Sequence, residues 1–176
     1  MRPEPNCALC DLHRGRTTIV MPDGNPSYGI VFVGEGPGEF EDLEGRPFVG
    51  RSGKILDNMM KEAGFDRTKV MITNTVKCRP PNNRDPMPEE MAACRPFLES
   101  ELYDARLIVG LGKSACRDLM GYEGPMSEIV NIPMTIKIRD REIVFIPTYH
   151  PAATIYNKDS RAALQETMRV VAEWLK

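Results

Sequence analysis

Four short apolar runs punctuate the chain: Gly29–Gly34, Val70–Asn74, Leu107–Gly110 and Ile143–Ile146. Each is too short for a helix and rich in β-branched residues, the pattern of strands buried on both faces, as in a parallel sheet. Residues 135–139 pair with the last run as a hairpin around Asp140-Arg141. Between the runs the period changes. Ile55, Leu56, Met59, Met60 and Ala63 fall on one helix face, stopped by Gly64. A second helix starts near Pro88, because proline is tolerated in a first turn and Glu89-Glu90 suit the positive end of a helix dipole. Pro96 should kink or end it. A third spans 113–120, closed by Gly121, and a last spans 160–174 with Leu164, Met168, Val171 and Leu175 on one stripe. Strands alternating with helices predict a layered α/β domain.

Each strand ends in a polar or glycine-rich sequence. These are Gly34-Glu35-Gly36-Pro37-Gly38, then Asn74, then Gly110-Leu111-Gly112, then His150-Pro151. Ligands of open α/β sheets bind at the carboxyl ends of the strands. Four such ends converging on one cleft predict a site from topology alone.

Composition narrows this picture only a little. With 176 residues, 41% hydrophobic and 27% charged, the chain reads as one ordinary domain covering residues 1–176. No apolar run nears the roughly 20 residues that span a bilayer. Residues 1–7 carry no signal-like apolar segment, so the expected location is cytoplasmic and membrane-free. A net charge of −2 gives no broad basic surface, so any nucleic acid must be held by a local patch.

The glycine loop after the first strand matches neither common phosphate-binding motif, and no lysine follows it. Glu35, Glu39, Glu41 and Asp42 crowd four carboxylates into it, which repels a polyphosphate and suits an electron-poor centre or a water needing activation. An exposed acidic turn is the bland reading. Phe48 lies among Gly and Pro residues in a long loop, either as core or as a platform on which a base stacks. Five cysteines in such a chain point to metal ligation or burial rather than disulfides. Cys7, Cys10, Cys78 and Cys94 make a four-thiolate set suited to zinc or to a four-iron cluster, and the spacing leaves the metal open. Cys116 reads as a buried small hydrophobe. Lys77, Arg79, Arg84 and Arg95 are candidate phosphate contacts or solvated charge.

The segments Gly34–Asp42 (GEGPGEFED), Gly45–Gly50 (GRPFVG), Asn74–Pro81 (NTVKCRPP) and His150–Ala153 (HPAA), with the cysteine quartet, resemble the family 4, iron–sulfur uracil-DNA glycosylases over nearly the whole chain. The resemblance implies a three-layer α/β sandwich around a four-stranded, mainly parallel sheet. It also implies a 4Fe-4S cluster on Cys7, Cys10, Cys78 and Cys94, completed by the N-terminal pair. The implied activity is base-excision repair, hydrolysis of the N-glycosidic bond of uracil flipped out of DNA; separately, a monomer is expected. Implied roles fall on Glu35, Phe48, Asn74 and His150; Glu35 and His150 are the catalytic candidates, and Gly34, Gly36 and Glu41 join Phe48 and Asn74 as candidate base-binding residues. Within that reading Glu35 handles water, His150 donates to uracil O2, Glu41 excludes the thymine methyl, and Ile155 and Tyr156 wedge into the duplex. Two rivals are a non-catalytic iron–sulfur protein that binds damaged DNA and a Mg²⁺-dependent phosphohydrolase using Glu35, Glu39 and Asp42.

Overall fold

A computed structural model describes residues 1–176. The elements are β1 (Asp23–Gly24), β2 (Ile30–Gly34), α1 (Glu39–Glu44), α2 (Arg51–Glu62), β3 (Met71–Asn74), α3 (Pro88–Leu102), β4 (Leu107–Leu111), α4 (Lys113–Met120), β5 (Met134–Ile138), β6 (Arg141–Thr148) and α5 (Lys158–Trp174). The four apolar runs become β2, β3, β4 and β6, and these pair in parallel in the order β3-β2-β4-β6. The sheet has six strands rather than four, because antiparallel β1 and β5 close its two edges. β5 is the expected hairpin arm. β1 is two residues long and polar, so no hydrophobic pattern announces it.

Both sheet faces are covered, which makes the expected three layers. Ile30, Phe32, Ile72, Val109 and Ile146 face Leu56 and Met60 of α2 and Leu164 and Met168 of α5. Val31, Val33, Ile108 and Phe145 face Leu98 and Leu102 of α3 and Ala115, Cys116 and Leu119 of α4. Cys116 is fully buried there, as its apolar neighbours in the sequence suggest.

Two local expectations change. Pro96 does not end its helix: α3 runs from Pro88 to Leu102. The cost of an interior proline, about 3 kcal/mol, is outweighed by burial of Met91, Cys94, Phe97, Leu98 and Leu102 along the same helix. The acidic stretch after the glycine loop is not irregular chain but α1, with Glu39, Glu41 and Asp42 in its first turn, where carboxylates complement the helix dipole.

The chain leaves β2 for β3 on one side and later returns to place β4 on the other. The sheet therefore changes winding direction between β2 and β4, and a crevice opens at their carboxyl ends.

Candidate active site

That crevice is a cavity of about 490 Å³ lined by Glu35, Gly36, Glu41, Phe48, Asn74 and His150. Its size falls within the roughly 300–1,000 Å³ usual for small-molecule sites. Six of the seven residues proposed for catalysis and base binding thus share one hollow, contributed by the ends of β2, β3 and β6 and by the α1–α2 connection.

Gly34 does not line the cavity but shapes its floor. A Cβ there would stand 2.5 Å from Phe48 Cζ and 2.6 Å from Asn74 Oδ1, so only glycine lets ring and amide approach. Phe48 itself adopts a left-handed backbone, φ 53°, which is unusual for an aromatic residue and must be imposed. Arg67 imposes it: its guanidinium donates to the Pro47 carbonyl (2.9 Å) and to the Phe48 carbonyl, while Nε donates to Asp57 Oδ1 (2.6 Å). Gly53 of α2 lies so close that a Cβ would overlap the Phe48 carbonyl. The Phe48 ring is buried and its centroid is 5.6 Å from that of His150.

Asn74 is 3% exposed, and its Oδ1 has no hydrogen-bond donor. An unpaired buried acceptor costs about 1–3 kcal/mol, and here it borders the cavity. The residue does not form the turn that a strand-end Asn commonly makes.

His150 does cap a turn, and this serves the site. Its Nδ1 accepts from the Ala152 backbone N–H (3.1 Å) at the start of the 3-10 turn Pro151–Thr154. An accepting Nδ1 puts the proton of a neutral ring on Nε2. Desolvation pulls the pKa of His150 down to about 4, against the opposing pull of Glu41. At neutral pH the ring is an uncharged donor.

Glu35 lies opposite in character. Burial raises its pKa above the usual carboxylate range, the hydrogen bond from Ser114 opposes that rise, and Asp85 adds to it by charge and by hydrogen bonding. The Ser114 hydroxyl donates to Glu35 Oε2 at 2.9 Å. Glu41 is spoken for: Oε1 accepts from Gly38 N–H (3.0 Å) and Oε2 from Val49 and Gly50 N–H (2.9 and 2.7 Å). It pins the Phe48 loop to the first turn of α1.

Other candidates fall elsewhere. Ile155 lines a neighbouring groove with Arg51, Lys61 and Arg161, and Tyr156 stands 92% exposed on the rim beyond it. Asp42 is buried and accepts from the backbone N–H groups of Thr17 and Thr18, so it is scaffolding. Lys77 cannot touch phosphate. It is fully buried, and Nζ donates to Thr73 Oγ1, the Asn74 carbonyl and Glu101 Oε1 (2.6, 2.7 and 2.7 Å). Arg84 forms a two-pronged pair with Glu90, and Arg95 pairs with Asp118.

Cys7, Cys10, Cys78 and Cys94 line a second, mainly apolar hollow with Leu9, Ile19 and Phe97. All are free thiols. Burial raises the pKa of Cys94 to about 11 and also raises that of Cys78, the latter opposed by Arg16, whose Nη1 lies 3.5 Å from Cys78 Sγ. No three His, Cys, Asp or Glu side chains anywhere in the fold converge tightly enough to hold a single ion.

Sequence reasoning missed Ser114, Asp85, Arg67 and the place of Asn83 in the wall; Arg84, expected at a phosphate or in solvent, lines the cavity as well. Only Ser114 left a signal, two residues after the Gly110-Leu111-Gly112 strand end.

The chain is similar to known proteins over most of its length. The sequence profile of the uracil DNA glycosylase superfamily matches residues 21–175. The chain is 43% identical to a type-4 uracil-DNA glycosylase of Sulfurisphaera tokodaii, over 96% of this chain and 80% of that one. It is 42% identical to the type-4 enzyme of Saccharolobus solfataricus (96% and 82% covered) and 43% to that of Thermotoga maritima (95% and 84%).

Proposed function

The chain belongs to the uracil DNA glycosylase superfamily, within its type-4 branch, and from that premise we propose how its own residues release uracil from DNA. The reaction is hydrolysis of the N-glycosidic bond. Water adds to C1′ of the deoxyribose, and the bond to N1 breaks with its electron pair on the base. Uracil departs and an abasic sugar remains.

The observation that carries this reading is the orphaned Oδ1 of Asn74. Uracil supplies the missing donor, N3–H, and accepts at O4 from the Asn74 NH2. Cytosine presents the reverse pattern and would leave the buried amide oxygen facing another acceptor. A site built around such a polar match rejects the mismatched analogue by roughly 10⁴-fold or more. A base inside the duplex cannot reach the cavity, so it must be flipped out. Phe48, held rigid by Arg67 and Gly53, provides the stacking face.

As the bond breaks, negative charge gathers on uracil O2. The Nε2–H of neutral His150 donates to it, an arrangement worth roughly 3–4 kcal/mol in comparable sites, and the Gly36 N–H assists. Glu35 orients the water and accepts its proton, and while ionised it favours the cationic sugar. Its raised pKa makes it the stronger base. Glu41, fixed by three backbone N–H groups, is a rigid wall against the C5 methyl of thymine. Ile155 and Tyr156 fill the vacated stack, and Arg51, Lys61 and Arg161 in the groove beside them contact phosphates.

The four-cysteine hollow fits a 4Fe-4S cluster. All four cysteines line one small, mainly apolar hollow. A cubane cluster takes four thiolates, one on each iron. Arg16 donates toward the Cys78 sulfur and to the Cys7 carbonyl, hydrogen bonds that would hold those two cysteines in place around a cluster. When bound, the cluster supplies cross-linking, tying the N-terminal turn to the β3–α3 loop and to α3.

The test is release of uracil from a U:G duplex in EDTA. Release is expected. A strict Mg²⁺ requirement would favour phosphohydrolysis, and tight binding without release would favour a damage-binding protein.

A further inference from the structure

We propose that Ser114 is a positioning residue for this reaction, holding the Glu35 carboxylate at the angle and in the ionised state that the water step requires. The inference rests on the role given to Glu35 above and extends it to a residue outside the cavity wall.

Ser114 is buried, 3% exposed, and its hydroxyl makes one hydrogen bond, to Glu35 Oε2 at 2.9 Å. It sits in the first turn of α4, where serine commonly serves its own helix, yet here the donor reaches across to a residue 79 positions away. The strand end leading into α4 is built for that approach. Gly112 has φ +93°, and a Cβ there would come within 3.0 Å of His150 Cβ. One short turn therefore touches both sides of the site, His150 through a bare glycine and Glu35 through a hydroxyl. It lies at the sheet's reversal point, between the ends of β2 and β4.

Glu35 needs such an anchor because its other neighbours pull toward the neutral acid. Asp85, from the loop before α3, faces it with like charge, and burial disfavours the carboxylate. Lys113 of α4 favours ionisation as the lesser influence, and Glu41 and His150 line the same cavity across from it. A donor to a carboxylate stabilises the charged form. Without Ser114, the half-buried Glu35 would take up a proton more readily and the water would lose its acceptor.

The test is single-turnover uracil release against pH for wild type, Ser114→Ala and Ser114→Cys; the cysteine variant keeps the volume with only a weak donor. Both variants should be slower by about tenfold at neutral pH. In both, the acid limb of the rate profile should move to higher pH, while the melting temperature stays close to wild type. A limb that does not move in either variant would overturn the proposal, whatever the size of the rate loss, because a merely structural serine leaves the ionisation of Glu35 untouched. Failure of the wild type to release uracil would instead defeat the underlying reading, so the two failures are distinguishable.

Discussion

At the scale of single residues, the site works by leaving some groups unpaired and others over-constrained. Asn74 is left short of a donor and His150 is fixed in one tautomer, and in the proposed reading both meet the same base. The state of His150 is open to direct measurement. Its ring carbons, followed by NMR, should titrate near pH 4 rather than near 6.5. The unfolded chain takes up that proton near pH 6.5 and the folded chain only near 4. Stability should therefore be lost as pH falls through that window. Glu35, whose pKa is raised, acts with the opposite sign: stability is lost as pH rises through its folded pKa. A His150 midpoint near 6.5 would contradict the neutral-donor role. Glu35, Phe48, Asn74 and His150 were legible in the sequence because strand ends and their motifs mark them. Arg67 was not, since an arginine in ordinary surroundings gains meaning only from what lies across the fold, and Ser114 left no more than its place two residues after a strand end.

At the scale of elements, the α1–α2 connection is held rather than free. Glu41 grips it from one end, Arg67 from below, and Gly34 and Gly53 leave room for the Phe48 ring and carbonyl. Gly34→Ala should push the ring and the Asn74 amide apart, lowering uracil release by at least tenfold and stability by about 1–3 kcal/mol. Arg67→Ala should free the strained φ of Phe48 and weaken stacking, read as a rise in KM greater than the fall in kcat. An unchanged KM with Arg67→Ala would show that the loop holds its shape unaided. The four central strands and α4 could be read closely from periodicity, since burial on both faces and the Gly121 stop leave few alternatives. β1 and α1 could not. The former has only Asp23 and Gly24 to display, and the latter is stabilised by capping and charge rather than by an apolar stripe. Pro96 does not end α3 because tertiary burial overrode a local penalty.

At the scale of the whole molecule, two hollows are joined by one short segment. Asn74 ends β3 in the first and Cys78 enters the second four residues later, with buried Lys77 clasping the Asn74 carbonyl between them. Cys78→Ala should bleach the visible colour expected of a 4Fe-4S protein and lower the melting temperature by about 5–10 °C; a colourless, zinc-loaded wild type would overturn the cluster assignment. No helix is long and apolar enough to cross a membrane. With a net charge of −2, the protein should hold DNA through the local groove, so Arg161→Ala should weaken duplex binding and reduce its salt dependence by about one counterion. The central claim is that the cavity accepts uracil because Asn74 lacks a partner. Single-turnover base release from otherwise identical duplexes carrying U, C or T opposite G, by wild type and by Asn74→Ala, measures that most directly. The account predicts rapid release of uracil alone by wild type and loss of that activity in a folded Asn74→Ala. Equal release of uracil and cytosine by wild type, or full uracil activity in the variant, would contradict it.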